Sequence, residues 1–476
     1  MTEPAGLAAL EAELSRQFTL LNLPPKPWMP ETPDPDGAAV LDVAIIGAGL
    51  CGLVAHAALA MEGIGNTRLF DRAPEGREGP WITYARMETL RTVKEAAGPA
   101  LGVPALTFRA WFEAQWGAEA WDDMTLAPRE MWMDYLIWYR RMTRADVLND
   151  CDVTEILPEG RLFRLSTSQG TQYARRVVIA TGLDALGAPQ LPAVARGLPR
   201  GRVYHSADMF DPATLRGKRV VVVGAGASAM DNAAAALEAG CARLDLLVRR
   251  PKLPVIDKFT GTGSRGMTAG YVGLPDAAKW ALMDEGDRFP VPPPKHSVER
   301  VARHAHAHLH TGAAIQAIEA RADGLRITTP RGVIEADVAI FATGFGIALA
   351  DRPELSHVAP HIRTWGDVVG PEKAAMNPVL AAHPYLAPDF AFTEKTPGTC
   401  SALSRLLCFA YAAVPSHGKV TSGIPSATEG ARRLASGLTR SFFAEDAAQH
   451  LDRFRAYDTP DMDENIWPPV DLVPTA

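Results

Sequence analysis

The sequence LDVAIIGAGLCG occupies residues 41–52 and joins a β-branched apolar run to a glycine-rich turn. Gly47, Gly49 and Gly52 have GxGxxG spacing, and an apolar, alanine-rich stretch follows them. In a strand–turn–helix unit the first glycine makes the tight turn, the second admits a pyrophosphate, and the third lets the helix pack on the strand. The helix N-terminus also stabilises negative charge. This stretch therefore predicts a Rossmann-type dinucleotide-binding unit.

The next predicted strand, TRLFD, ends at Asp71, 24 residues after Gly47. A carboxylate at this position accepts hydrogen bonds from the ribose hydroxyls of a dinucleotide, so an unphosphorylated ribose is favoured. We predict that Asp71 and its neighbour Arg72 bind the cofactor together with the three glycines.

A second unit reads GKRVVVVGAGASAMDNA over residues 217–233. Gly224, Gly226 and Ala229 repeat the spacing with alanine in the third position, and Ser228 lies inside the turn. The strand that follows runs into two cations, Arg249 and Arg250, which suit a 2′-phosphate better than a ribose diol. The alternative is that these arginines form a solvated strand end. One unit thus ends in an acid that suits a free ribose, and the other ends in cations that suit a ribose phosphate. This difference predicts FAD at the first unit and NADPH at the second, with hydride transfer between them.

The order of the predicted elements indicates an α/β fold with two Rossmann-like dinucleotide-binding domains, FAD and NADPH, the second inserted in the first. A helical excursion in the first holds six of the ten tryptophans. An N-terminal helix and proline-rich linker (1–36) precede the first segment of the FAD-binding domain (37–200), the NADPH-binding domain (201–324) and the second segment of the FAD-binding domain (325–476). We also predict a long loop over 251–294 and a helix from Ser297 through His310.

Composition narrows the class of protein further. The 476 residues are 47% hydrophobic and carry a formal charge of −7 without a long basic run, so nucleic acid is a poor main partner. Five scattered cysteines without a CxxC favour a reducing compartment, and neither a signal peptide nor a membrane-length apolar stretch is present. We predict a cytoplasmic enzyme with no membrane partner, which can form a homo-oligomer.

Five short matches resemble the class B flavoprotein monooxygenases, which include flavin-containing, N-hydroxylating and Baeyer–Villiger enzymes. The matches are GAGLCG with Asp71, GPW at 79–81, VVIATG ending at Gly182, GAGASAMDNA, and DVAIFATGF over 337–345. The resemblance implies bound FAD and NADPH, a place for Trp81 beside the flavin, and Thr343 and Gly344 near the cofactors, where the chain passes between the domains.

The resemblance also implies that a C4a-(hydro)peroxyflavin transfers oxygen to a small-molecule substrate. The family's linker fingerprint FxGxxxHxxxW is incomplete, because Pro199 and Met209 replace the two aromatic residues around Gly201 and His205. Because of this, and because DVAIFATGF (337–345) resembles the pattern of the N-hydroxylating enzymes, N-hydroxylation of an amine, or another heteroatom oxidation, is favoured over Baeyer–Villiger oxygenation of a ketone. An NADPH–flavin reductase that inserts no oxygen is a further alternative.

Two side chains are candidates for a catalytic role. Arg86 follows Trp81 closely and could reach the flavin, the nicotinamide cofactor or a substrate carboxylate, or it could pair with Glu88 at the surface. By resemblance His205 lies between the domains and couples their motion to the reaction; a purely structural role is the alternative.

Two further patterns concern metal binding and the flavin. The histidines of RHAHAHLH (304–310) alternate along a predicted helix and lack neighbouring carboxylates, so we predict no metal site. Near the C-terminus, Ser422, Gly423 and Pro425 open a predicted helix. By resemblance, its N-terminus points at the flavin.

Overall fold

A computed structural model describes residues 6–33, 37, 40–184, 186–421, 423–463 and 466–472. Ser422, one of the predicted helix-opening residues, lies outside them. The predicted leading helix is present as α1 (Gly6–Leu20), which packs against the helical excursion. No helix in these ranges is long and apolar enough to cross a bilayer.

The first unit is built on a seven-stranded sheet with helices against it. Its strand order is β3-β2-β1-β6-β5-β4, with one more strand, β17, paired to β6. Val43, Ala44 and Ile45 of β1 are fully buried, as expected for a central parallel strand covered on both faces. The elements of this unit up to β6 are β1 (Val40–Ile46), α2 (Leu50–Met61), β2 (Thr67–Phe70), α3 (Phe108–Asp123), α4 (Arg129–Met142), β3 (Val147–Leu148), β4 (Val153–Glu159), β5 (Leu162–Thr167) and β6 (Gly170–Ile179).

The helical excursion has an aromatic core. Trp111, Trp121, Trp132 and Trp138 of α3 and α4 are all buried, as helical spacing of aromatic residues predicts. Helix α3 is kinked at Gly117, whose φ is +82°.

The second unit is a five-stranded parallel sheet of order β11-β10-β9-β15-β8, carrying a three-stranded antiparallel sheet. The chain enters it after β6 and returns to the first sheet as β17, so the predicted nested arrangement is confirmed. An antiparallel ribbon of β7 and β16 joins the units. The elements are β7 (Gly187–Pro189), β8 (Val203–His205), β9 (Arg219–Val223), α5 (Ala227–Glu238), β10 (Arg243–Val248), α6 (Lys258–Thr262), α7 (Arg265–Gly270), α8 (Asp276–Arg288), α9 (Lys295–Ala302), β11 (Ala307–Thr311), β12 (Ala317–Arg321), β13 (Gly324–Thr329), β14 (Gly332–Ala336), β15 (Val338–Phe341) and β16 (Phe345–Ile347).

Three sequence predictions need correction here. The boundary at 324/325 lies inside the second unit, because β15 pairs with β8 and β9. The predicted loop over 251–294 contains α6, α7 and α8. The predicted helix ends at Ala302, and His308 and His310 lie on β11 instead, because this segment pairs with β10 and His310 Nε2 lies 2.8 Å from Asp245 Oδ1.

The remaining chain completes the first unit. Its helix α14 packs against α2, and its strand β17 closes the first sheet beside β6. The elements are α10 (Trp365–Val369), α11 (Pro371–Met376), α12 (Pro378–Ala381), β17 (Leu406–Cys408), α13 (Val414–His417), α14 (Ala427–Glu445) and α15 (Ala447–Ala456).

Candidate active site

A cavity of about 730 Å³ lies at the carboxyl ends of β1, β2 and β6, where ligands of open α/β sheets bind. Five predicted cofactor-binding residues line it: Gly47, Gly49, Asp71, Arg72 and Trp81. Residues from the second unit and from the C-terminal region complete the wall, including Ala207, Met209, Phe345, Thr421, Gly423, Ile424 and Ala427. From the Rossmann arrangement we assign the adenosine end of the cavity to Asp71 and Asp152 and the flavin end to Trp81 and Ala427.

The turn of the first unit leaves no room for side chains. Gly47 has φ +101°, and a Cβ there would lie 2.7 Å from the carbonyl oxygen of Ala180. A Cβ on Gly52 would lie 1.9 Å from the carbonyl oxygen of Gly47. Gly49 caps α2 without a side-chain hydrogen bond, so the first N–H groups of the helix stay available to an anion. This cradle fits a pyrophosphate.

Asp71 closes the adenosine end. Its Oδ2 accepts a hydrogen bond from the Ala48 N–H at 2.7 Å, and its Oδ1 accepts one from the Ala73 N–H at 2.8 Å. Two backbone donors thus fix the carboxylate beside the turn, and its remaining lone pairs can accept ribose hydroxyls. This position matches the predicted role of Asp71.

The opposite end carries two polar atoms that need a ligand. Trp81 Nε1 and Thr181 Oγ1 are buried, line the cavity and have no hydrogen-bond partner within the described chain. Unpaired buried polar atoms are costly, so such atoms indicate a missing partner. Ala427 begins α14 at the same end, and the partial positive charge of that helix N-terminus favours an electron-rich ring. The cavity as a whole therefore fits FAD, with its flavin beside Trp81.

The second turn is built like the first but is more open. Gly224 has φ +146°, and a Cβ there would lie 2.6 Å from the carbonyl oxygen of Ala342. Gly226 caps α5, and Ser228 is exposed in its first turn. Arg249 is exposed after β10, and Arg250 is half-buried with Nη1 3.3 Å from the carbonyl of Arg288. These residues form a second dinucleotide cradle with cations at its ribose end.

Arg86 does not line the cavity. Its Nη2 donates to the carbonyl of Phe210 at 2.7 Å and its Nη1 to that of Thr83 at 3.2 Å, and the guanidinium carbon lies 4.8 Å from the Phe210 ring centre. Burial, helped by the nearby Arg129, lowers the pKa of Arg86. The side chain thus joins the two units, and its position gives the predicted catalytic role no support.

His205 is buried at the junction between the units. Its Nδ1 accepts the Ala207 N–H at 3.1 Å, so the proton lies on Nε2, which donates to the Gly344 carbonyl at 3.1 Å. Burial lowers the pKa of His205, which keeps it neutral. Thr343 Oγ1 donates to the Gln190 carbonyl, and the Gly344 carbonyl accepts the Gln190 N–H at 2.9 Å. His205, Thr343 and Gly344 therefore act together in positioning the junction.

Several lining residues carried no recognised signal in the sequence. Thr181 lies in VVIATG, which in the sequence served only as a family match, and Leu183 directly follows that segment. Phe345 ends the second ATG segment, and Met209 counted only as a missing tryptophan. No group of three or more potential ligands among the described residues is placed to hold a metal ion.

Comparisons with known proteins agree with this geometry. The family described as pyridine nucleotide-disulphide oxidoreductase matches residues 41–358. A FAD-dependent urate hydroxylase from Xanthomonas campestris pv. campestris is 37% identical over 467 residues, which cover 97% of this chain and 98% of that protein. An L-lysine N6-monooxygenase from Escherichia coli is 25% identical over 46% of this chain and 57% of its own length.

The fold also matches a solved structure. The L-lysine 6-monooxygenase from Pseudomonas syringae superposes with a TM-score of 0.66 at 20% identity, covering 84% of this chain and 99% of that structure. At this identity the match shows the shared two-unit fold, including the nesting of one dinucleotide-binding unit in the other.

Proposed function

Because the chain belongs to the pyridine nucleotide-disulphide oxidoreductase family and is an NADPH-dependent, FAD-containing class B flavoprotein monooxygenase, we propose that it hydroxylates a planar nitrogen heterocycle of the urate type. The predicted enzyme class and both predicted cofactors, FAD and NADPH, are confirmed. The finer assignment concerns only the molecule that receives the oxygen atom.

The observation that carries the proposal is the 37% identity, along nearly the whole of both chains, to a protein named as a urate hydroxylase. A match of this length includes every element that forms the cavity, from β1 to α14. The cavity lining is compatible with the proposal. Its charged side chains are Asp71, Arg72, Arg77, Asp152, Arg352 and Glu354. Of these, Arg352 and Glu354 pair with each other, with Arg352 Nε 2.7 Å from Glu354 Oε1.

The flavin side of the cavity offers groups that suit a flat, hydrogen-bonding ring. The carbonyl and N–H groups of a urate-type ring can pair with neutral donors and acceptors such as Trp81 Nε1 and Thr181 Oγ1. Trp81, Tyr84 and Phe345 offer aromatic surface there, and the ring centres of Tyr84 and Phe345 lie 6.5 Å apart. We infer that these rings orient the substrate.

The protein's own role in the reaction is to bind, orient and exclude water. FAD, when bound and reduced by NADPH, would activate molecular oxygen, one atom of which goes to the substrate and the other to water. Asp71 and the glycine turn would hold its adenosine and pyrophosphate, and Trp81 Nε1 is free to donate a hydrogen bond on the flavin side. His205 keeps its proton on Nε2 and fixes the junction through which the second unit reaches the cavity.

Amine N-hydroxylation is the second candidate, favoured by the partial match to a lysine N6-monooxygenase. The motif that first suggested it begins at Asp337, and this carboxylate is held by Arg219 Nη2 at 2.7 Å and by the Arg219 backbone N–H at 2.7 Å. Asp337 therefore joins β9 to β15, and this position offers no amine site.

The test measures NADPH oxidation, oxygen uptake and product by mass spectrometry with urate, L-lysine, L-ornithine and a cyclic ketone. Urate is expected to accelerate NADPH oxidation and to gain one oxygen atom with close to one product per NADPH. Coupled oxygenation of an amine with urate inert would establish the second candidate. Coupled oxygenation of the ketone alone would establish Baeyer–Villiger chemistry.

A further inference from the structure

We propose that Met209 is a self-modification site: in turnover without another substrate, the enzyme transfers its oxygen atom to the Met209 thioether and forms methionine sulfoxide. The proposal depends on the monooxygenase class and on the position of this side chain. It does not depend on which substrate the enzyme normally uses.

Met209 combines access with a place in the cavity. Its exposed fraction is 64%, and it lines the same cavity as Trp81 and Phe345. Of the described residues that line this cavity, it is the one methionine. A thioether here is open to a molecule that occupies the cavity.

The backbone on both sides of Met209 is held in place. Asp208 Oδ2 accepts the His205 N–H at 2.7 Å, and the Asp208 N–H donates to the His205 carbonyl at 2.9 Å. On the other side, the Phe210 carbonyl accepts Arg86 Nη2 at 2.7 Å. The Met209 side chain is thus presented to the cavity by a braced turn, whereas Phe210 packs against Tyr204 with ring centres 4.6 Å apart.

The chemistry balances with the co-reactants that the enzyme already uses. The sulfur lone pair forms an S–O bond as the O–O bond breaks, and the second oxygen atom leaves as water. NADPH, a proton and molecular oxygen are consumed and NADP⁺ is released. Thioethers are soft and polarisable, and methionine readily reaches the sulfoxide level. The product is polar and chiral, so it alters the apolar mouth of the cavity.

Two other methionines serve as internal controls. Met376 and Met462 are 71% and 65% exposed, which equals or exceeds the exposure of Met209, and neither lines the cavity. Diffusible hydrogen peroxide, which meets exposed side chains alike, oxidises all three. Oxygen delivered from inside the cavity marks Met209 alone.

The experiment incubates the FAD-loaded enzyme with NADPH in air, with catalase and without substrate, and then measures the mass of each methionine peptide. We expect the Met209 peptide to gain one oxygen atom several-fold more than the Met376 and Met462 peptides. Oxygen transfer inside a chiral cavity is also expected to give one sulfoxide epimer, so either MsrA or MsrB alone should reverse nearly all of it. Added urate should protect Met209 if urate is the substrate.

Equal oxidation of the three peptides would overturn the proposal, as would a Met209 mass gain that is seen only when catalase is omitted. So would a mixture of epimers that needs both reductases. Met209→Leu keeps the size and apolar character of the side chain and should remove the mass gain, while Met376→Leu should leave the gain at Met209 intact. If urate is not hydroxylated but Met209 gains oxygen, the substrate assignment fails and the self-modification stands.

Discussion

The two dinucleotide turns share one close backbone contact and differ in the residues that surround it. In each, the first glycine has a positive φ and faces the carbonyl of the alanine that opens an ATG segment, Ala180 in the first unit and Ala342 in the second. The distances from a built Cβ are 2.7 Å and 2.6 Å. The ATG segments are therefore the complements of the two turns, each filling the space that a side chain would need.

The surroundings diverge beyond that contact. Thr181 Oγ1 lines the cavity without a partner among the described residues, whereas Thr343 Oγ1 is bonded to Gln190. Asp71 is fixed by two backbone donors, whereas Arg249 is exposed. The polar groups beside the first turn are enclosed in the cavity, whereas those beside the second are bonded within the chain or exposed to solvent.

The largest effect is expected at the third position of the turns. Gly52→Ala places a methyl group 1.9 Å from the Gly47 carbonyl, so the helix must move away from the strand. We expect loss of FAD and destabilisation of roughly 3 kcal/mol or more. The ratio of flavin to protein absorbance and thermal unfolding measure both. The matched change Ala229→Gly should keep FAD bound, and a fully loaded Gly52→Ala protein would contradict the comparison.

Gly224→Ala should weaken NADPH binding without affecting FAD binding. The new Cβ would meet the Ala342 carbonyl at 2.6 Å in a backbone conformation that favours glycine. Backbone strain of this kind costs about 1–3 kcal/mol, so flavin reduction should need roughly ten- to a hundredfold more NADPH. Anaerobic reduction followed by the flavin spectrum measures this. FAD content should stay at the wild-type level, and its loss would mean that the two turns are not independent.

The arginines at the open ribose end should set the choice of nicotinamide cofactor. Replacing both Arg249 and Arg250 by alanine removes the cations available to a 2′-phosphate. We expect KM for NADPH to rise about tenfold while KM for NADH changes little. Arg331→Ala, at the tip of the β13–β14 hairpin, is the control. Equal shifts for both cofactors would sink the 2′-phosphate assignment.

The smallest effect is expected at His205, which ties the second ATG segment to β8 through the Gly344 carbonyl. Burial lowers its folded-state pKa below the ordinary 6.5, so the unfolded chain takes up a proton more readily. The lowered pKa of His205 therefore contributes fully to the free energy of unfolding above pH 6.5, and this contribution is lost as the pH falls toward the folded-state pKa.

His205→Gln should keep a hydrogen-bond donor to Gly344. Glutamine does not titrate, so the variant should lose less stability at acid pH than the wild type. At pH 8 the change should lower the free energy of unfolding by about 1 kcal/mol. Urea unfolding at several pH values measures both. Other buried histidines with lowered pKa, His56, His383 and His417, keep the rest of the slope. An unchanged slope would mean that folding does not lower the pKa of His205.

Short sequence motifs predicted correctly the parts of the fold that depend on neighbouring residues, such as the glycine-rich turns. Gly47, Gly52 and Asp71 lie where their spacing placed them, because a strand–turn–helix unit leaves few other geometries. The enzyme class and cofactors followed from those turns together with the family resemblance. The predicted amine substrate, homo-oligomer and cytoplasmic location stay predictions.

Long-range contacts explain what sequence patterns missed. Spacing from Trp81 gave no direction for Arg86, whose guanidinium is bound by the Phe210 carbonyl, far along the chain. The alternating histidines before Thr311 suited a helix, until pairing with β10 made the segment a strand. In the sequence, Met209 was notable only because it replaces the tryptophan of the linker fingerprint. Its place in the cavity lining follows from the folded structure.

The ribbon of β7 and β16 has a consequence for engineering. It holds the entry and the exit of the nested unit side by side, with Gly187 opposite Ile347 and Pro189 opposite Phe345. A unit whose ends meet can be exchanged as a cassette, because the host needs only one short bridge to close the gap. Grafting a nested unit of different coenzyme preference at this ribbon would change the electron donor while leaving the seven-stranded host sheet intact.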